Sequence, residues 1–203
     1  MIKAFLFDYG GVMSTGGKGP ELPQRLGAFL GVSQERAFEL LGLGWDDFMS
    51  GRIDEDGLWS RIEAGYGQPI SVEKRQIWSD FEFMKPDPRM VALVHELKGK
   101  GYKVGLLSNV VPPTGTIVHE GGGYDAFDFT ILSYQTGYGK PELDIYHLAL
   151  KELPGIKPEE VVFLDDQQRF LDPATSIGIQ TILVTNPEQA IADVHALLEK
   201  QNA

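Results

Sequence analysis

The order of apolar and amphipathic segments predicts an α/β chain: a three-layer parallel-sheet core with a small all-helical segment inserted after the first strand. Five short apolar runs, rich in β-branched and aromatic residues, are spread along the chain, as strands buried on both faces would be. Helical patterns separate the later runs, which implies parallel crossovers with helices covering both faces of a sheet. Between roughly Gly19 and Phe83 the pattern is helical only.

The strands are expected at Ala4–Phe7, Val104–Leu107, Phe129–Leu132, Val161–Leu164 and Thr181–Val184. The core helices are expected at Pro88–Lys98, with Met90, Val91, Val94 and Leu97 on one face, at Glu142–Glu152 and at Pro187–Glu199. Within the insert, helices are expected over Leu22–Leu30, Gln34–Leu41, Glu55–Tyr66 and Val72–Phe83. Ser33, Asp54 and Ser71 stand where N-caps belong, since their side-chain oxygens can accept from a free first-turn N–H. An all-helical insert this early suggests a cap (residues 19–83) over a core formed by residues 1–18 and 84–203, with Pro86 and Pro88 marking the return. Gly121–Gly123 reads as a loop, because no strand–turn–helix context surrounds it.

Composition narrows the function. The hydrophobic share is 42% and the charged share 23%, an ordinary globular balance. No apolar run reaches the roughly 20 residues needed to cross a bilayer, and the N-terminus is a poor signal peptide, so a cytoplasmic protein is expected. The chain has no cysteine, which excludes disulfides, thiolate metal sites and cysteine catalysis. A net charge of −11 without any Lys/Arg cluster argues against nucleic acid and anionic membranes as partners. It leaves room for a small anionic substrate, because one lysine and a metal ion can reverse the potential inside a cleft. The four histidines are scattered and suggest no metal site.

Ligands of open α/β sheets bind beyond the carboxyl ends of the strands. Strand one ends in Asp8, strand two in Ser108-Asn109 and strand four in Asp165-Asp166, while Lys140-Pro141 follows strand three. A carboxylate, a hydroxyl, an ammonium and an acidic pair on one rim are the parts phosphoryl transfer needs: a nucleophile, donors for phosphate oxygens and a site for a divalent cation. Alone, each has a structural rival as a turn residue or helix cap. For Asp46-Asp47 and Asp54-Glu55-Asp56 in the insert, solvated faces or caps are preferred. For Trp45, Trp59 and Trp78, packing is preferred to a substrate platform.

Taken together, Phe7-Asp8-Tyr9-Gly10-Gly11-Val12, Leu107-Ser108-Asn109, Lys140-Pro141-Glu142 and Leu164-Asp165-Asp166 resemble the four ordered motifs of the haloacid dehalogenase superfamily. The resemblance spans essentially the whole chain and is greatest to sugar-phosphate phosphatases and to the N-terminal phosphatase domain of soluble epoxide hydrolase. It implies a Rossmann-like core and a Mg²⁺-dependent phosphatase acting on a small phosphorylated metabolite, sugar phosphates first and nucleotides behind them. Asp8 would be the nucleophile, forming an aspartyl-phosphate. Asp8, the Gly10 carbonyl and Asp166 would hold Mg²⁺, with Asp165 supporting through water. Ser108 and the Asn109 backbone would bind phosphate oxygens, and Lys140 would neutralise charge between Asp8 and the phosphate.

Two positions depart from the family pattern. Most such phosphatases carry a second aspartate two residues after the nucleophile, where this chain has Gly10. General acid–base help contributes typically about 10²–10⁴-fold, so water, Tyr9, Ser14 or Thr15 would have to supply the proton. Relatives often carry an amide four places after the second Asp, where this chain has Phe170, with Gln167 and Gln168 close by. Gly10 is the main support for a rival reading, a catalytically silent binding protein on the same fold. A second rival is 2-haloacid dehalogenation, which needs no metal and is disfavoured by the acidic pair.

Overall fold

The structure is a computed structural model that describes residues 1–14, 22–71, 77–78 and 84–202. Five strands, β1 (Ala4–Phe7), β2 (Lys103–Ser108), β3 (Phe129–Leu132), β4 (Val161–Asp165) and β5 (Gln180–Leu183), form one sheet in the order β3-β2-β1-β4-β5. Every pairing is parallel. All five strands stand within a residue or so of their expected places.

Side-chain alternation along β1 divides the core. Phe5 and Phe7 face a cluster that includes Met90, Val94 and Leu97 of α5 (Pro88–Gly99) and Val194 and Leu198 of α10 (Pro187–Asn202). Ala4 and Leu6 face the other side, with Ile145, Tyr146 and Ala149 of α8 (Leu143–Lys151) and Leu171 and Ala174 of α9 (Gln168–Ser176). The period of two in a strand sends neighbours to opposite faces, so a strand buried on both must be apolar throughout. All four residues of β1 are fully buried.

The chain leaves β1, builds β2 and β3 on one side, then crosses to β4 and β5 on the other. The strand order therefore reverses between β1 and β4, and the connections diverge there, leaving a crevice beyond their carboxyl ends.

Before β2 come α1 (Leu22–Leu30), α2 (Gln34–Gly42), α3 (Trp45–Met49) and α4 (Glu55–Tyr66). They share a hydrophobic cluster of their own, with Leu26, Leu40, Phe48, Trp59 and Ile62 buried. Ser33 accepts from the Arg36 N–H at 3.2 Å and Asp54 from that of Gly57 at 2.8 Å, so both act as expected N-caps. Most of the helix expected over Val72–Phe83, including the first turn that Ser71 would cap, lies outside the described residues. Asp87 caps α5, Pro88 opens it, and the Asp87 N–H bonds to the Met13 carbonyl, tying the return point to the loop after β1.

The sequence pattern missed α3, α6 (Pro112–Glu120), α7 (Ser133–Thr136) and α9. α3 and α7 are shorter than two turns, α6 carries two prolines in its first turn, and α9 has Pro173 inside it. Each defeats a periodicity argument that needs several turns. Gly121–Gly123 is a turn, as expected. No helix among the described residues is long and apolar enough to cross a membrane.

Candidate active site

Asp8 follows β1 directly, its N–H bonding to the Leu164 carbonyl at 2.9 Å, so the backbone ladder sets its position on the crevice floor. Asp165 is the last residue of β4. Between these carboxylates lies Lys140, whose Nζ is 2.9 Å from Asp8 Oδ1 and 2.6 Å from Asp165 Oδ2. The Lys140 and Asp165 side chains are wholly buried. Burial pushes the Asp165 carboxyl above its ordinary range; the Lys140 ammonium opposes that and Asp8 adds to it.

Lys140 is placed by residues far apart in sequence. The Asn109 side chain clamps its backbone from both sides, Nδ2 donating to the Lys140 carbonyl and Oδ1 accepting the Lys140 N–H, each at 2.8 Å. Residue 109 therefore positions Lys140 as well as standing at the end of β2. The Lys140–Pro141 bond is cis. Beneath Nζ, the rings of Phe163 and Phe170 lie at 5.3 and 5.0 Å, within the reach of cation–π attraction. Phe170, the second departure from the family pattern, thus packs against Lys140.

Asp8, Asp165 and Asp166 each offer a carboxylate oxygen, all within 4.8 Å of one another. Asp165 is engaged on both oxygens, by Lys140 Nζ and by the Gln167 N–H at 2.8 Å. Asp166 is exposed, and its carboxyl is shifted upward by partial burial and by the charge of Asp8. An oxygen-only set of crowded acids suits a hard divalent cation and does not suit a soft one. Asp8 and Asp166, with the backbone carbonyl at Gly10, could hold it, and the like-charge crowding would be relieved by it.

The loop after Asp8 is tight. The Gly11 N–H bonds to the Ser14 carbonyl and the Ser14 N–H to the Tyr9 carbonyl, both at 2.8 Å. Gly11 has φ +81°, and a Cβ there would stand 2.3 Å from Asp166 Oδ2. Gly11, which the sequence reading left without a role, is therefore what lets the first and fourth motifs approach. Gly10 differs: its φ is not positive, and among the described residues no atom lies within 4 Å of a Cβ built there.

The expected proton sources fare unequally. The Tyr9 hydroxyl donates to the Met84 carbonyl at 2.6 Å, and burial pushes its pKa far up, so it is a poor acid here. Ser14 is buried beside Gly10, and Thr15 lies outside the described residues. No sequence pattern pointed to Tyr124, which packs edge-on against Tyr9 at 5.4 Å and whose buried hydroxyl has no hydrogen-bond partner among the described residues.

Ser108, 2% exposed at the end of β2, and Asn109 line a cleft of about 230 Å³ together with Gly10 and side chains from α1 and α3. Trp59 is core packing, as expected. Trp45 and Trp78 pack against the same cluster but also face the cleft. Asp46 and Asp47 take no part in the site; Asp47 pairs with Arg61 and Arg52.

Comparison with known proteins agrees with this geometry. The family model of haloacid dehalogenase-like hydrolases matches residues 2–169. A sesquiterpene phosphatase of Aspergillus oryzae is 26% identical over 185 residues, covering 91% of this chain and 90% of that one. Bifunctional epoxide hydrolase 2 of Mus musculus is 45% identical over 75 residues, 37% of this chain and only 13% of that longer protein. Among solved structures, a family enzyme of Bacteroides thetaiotaomicron in complex with magnesium and inorganic phosphate superposes with a TM-score of 0.71. It is 26% identical, with 90% of this chain and 93% of that one covered.

Proposed function

This chain belongs to the haloacid dehalogenase-like hydrolases, and on that footing we propose that it is a Mg²⁺-dependent phosphatase that hydrolyses a small phosphomonoester at Asp8. The observation that carries this reading is the convergence of Asp8, Lys140, Asp165 and Asp166 at the point where the strand order reverses. The phosphatase and the magnesium–phosphate complex among its relatives support it.

A free Asp8 oxygen attacks phosphorus while the bond from phosphorus to the leaving oxygen breaks, giving an aspartyl-phosphate and the alcohol. Water then cleaves the aspartyl-phosphate, releasing phosphate and regenerating Asp8. Ser108 and the backbone at Asn109 donate to the non-bridging oxygens. Lys140 holds positive charge against Asp8, where two anions must meet. Asp165 fixes the lysine. Asp8, the Gly10 carbonyl and Asp166 would hold Mg²⁺, whose charge would screen the repulsion between nucleophile and substrate. Helices α1–α4 serve as a cap that restricts entry to small molecules and limits water at the intermediate. Gly10 offers no side chain and the Tyr9 hydroxyl is committed to Met84, which leaves water, Ser14 or Thr15 to protonate the leaving oxygen.

A catalytically silent binding protein remains the second reading because of Gly10. The crowded acids disfavour the metal-free dehalogenase. Phosphate release from a panel of phosphomonoesters, with and without Mg²⁺, separates these readings. Mg²⁺-dependent release that vanishes in Asp8→Asn is expected. Release that survives in Asp8→Asn would overturn the nucleophile, and silence across the panel would favour the binding protein.

A further inference from the structure

The cleft above Ser108 is walled by Leu22, Trp45, Met49, Trp78, Met84 and Val111. These residues come from α1, α3, the described stretch at 77–78, the return to the core and the N-cap of α6, so five separated parts of the chain place hydrocarbon on one space. The Trp78 indole is held in place: its Nε1 donates to Glu55 Oε1 at 2.8 Å and its ring lies 5.6 Å from that of Phe48. Glu55 Oε1 also accepts from Trp59 Nε1 at 3.1 Å. The one polar atom of Trp78 is thus committed within the protein.

Two of the polar side chains lining the same cleft are committed too. Both ends of the Asn109 amide hold the Lys140 backbone, and the Tyr9 hydroxyl is bonded to Met84. Arg25, Trp45, Thr114 and Tyr124 are the other lining side chains with polar atoms beyond Ser108, and the Tyr124 hydroxyl has no hydrogen-bond partner among the described residues. A sugar enclosed here would bury several hydroxyls against indole, thioether and aliphatic surface, and each unmatched hydroxyl costs binding. An apolar group would gain from the same walls.

We propose that the site selects phosphomonoesters of apolar alcohols, with an alkyl or aromatic hydrocarbon seated against Trp45, Met49 and Trp78. The selectivity rests on the phosphatase reading above and reverses the order of substrates that the family resemblance implied.

Linear alkyl phosphates from ethyl to octyl test it, because they vary apolar area while keeping the leaving group's chemistry constant. The Mg²⁺-loaded protein is assayed for kcat/KM on this series and on glucose 1-phosphate. Kd for the same compounds is measured by calorimetry on Asp8→Asn. Both constants should improve roughly two- to fourfold per added methylene until the cleft is filled, and octyl phosphate should exceed glucose 1-phosphate at least tenfold. Trp45→Ala and the near-isosteric Met49→Gln should flatten that slope. Turnover with no dependence on chain length, and glucose 1-phosphate preferred, would overturn the selectivity and leave the phosphatase standing. A chain-length-dependent Kd with no turnover of any ester would support the selectivity and overturn the phosphatase. A flat Kd with no turnover would overturn both.

Discussion

Replacing Lys140 by methionine should unfold this protein more easily, and the cost should depend on pH. The ammonium is wholly buried, 2.9 Å from one carboxylate and 2.6 Å from another. Methionine keeps most of the side chain's length and its contact with the Phe163 and Phe170 rings, so the change removes charge and three donors while leaving little cavity. What remains is a buried Asp165 beside Asp8 without a cation. Breaking a buried pair by removing one partner costs about 3–5 kcal/mol, which for a chain of this size lowers Tm by roughly 6–20 °C.

Protonation sets the sign of the pH effect. Asp165 is already held above the ordinary carboxylate range by burial, and the lost ammonium was the main influence holding it down. A carboxyl raised in the folded state binds protons more tightly there than in the unfolded chain, so stability falls as pH rises through that window. The deficit of Lys140→Met should therefore be largest near pH 8 and shrink towards pH 5. Urea denaturation at both values, in EDTA so that no cation substitutes for the ammonium, measures it. Adding Asp165→Asn to Lys140→Met should recover about 1–3 kcal/mol, the size of coupling expected between groups in contact. A deficit under about 1 kcal/mol, or one equal at both pH values, would refute the reading of Lys140 as the charge that makes this acidic cluster tolerable.

Two further substitutions probe the loop after the nucleophile. At Gly10 an added Cβ meets no described atom within 4 Å and φ is not positive, so Gly10→Asp should fold with a Tm close to wild type. With an acid restored where the family carries one, kcat on an alkyl phosphate should rise at least tenfold and by up to the roughly 10²–10⁴-fold that general acid–base catalysis supplies; an unchanged kcat would mean that leaving-group protonation does not limit turnover. Gly11→Ala has the opposite prospect: φ +81° and a clash at 2.3 Å with Asp166 Oδ2 should cost about 1–3 kcal/mol and displace the carboxylate. Calorimetry should then show weaker Mg²⁺ binding, and unaltered affinity would remove Asp166 from the cation site.

Much of the architecture was legible in the residue order because the signals were local. β1, which Asp8 follows, and β2, β3 and β4, which end in Ser108, Leu132 and Asp165, are short apolar runs, and burial on both faces requires that pattern wherever the strands lie in the sheet. Ser33 and Asp54 announced their helices because a cap bonds within three residues. The gaps were equally physical. α3 and α7 are too short to show a period, and Pro173 inside α9 contradicts the local rule that packing on β4 and β5 overrides.

From the order of residues alone came the type of chemistry: a carboxylate, a hydroxyl, an ammonium and an acidic pair at strand ends, and the missing acid at Gly10. Chain folding alone settled how those groups meet. The two-sided grip of Asn109 on Lys140, the cushion of Phe163 and Phe170 under its ammonium, and the contact that forbids a side chain at Gly11 join residues 23 to 155 positions apart. The same holds for the apolar wall, since Trp59 and Trp78 are alike in sequence character and only packing makes one a core residue and the other a lining one. Local patterns reflect what a segment must bury; which face of a buried side chain meets a ligand depends on partners that the segment does not contain.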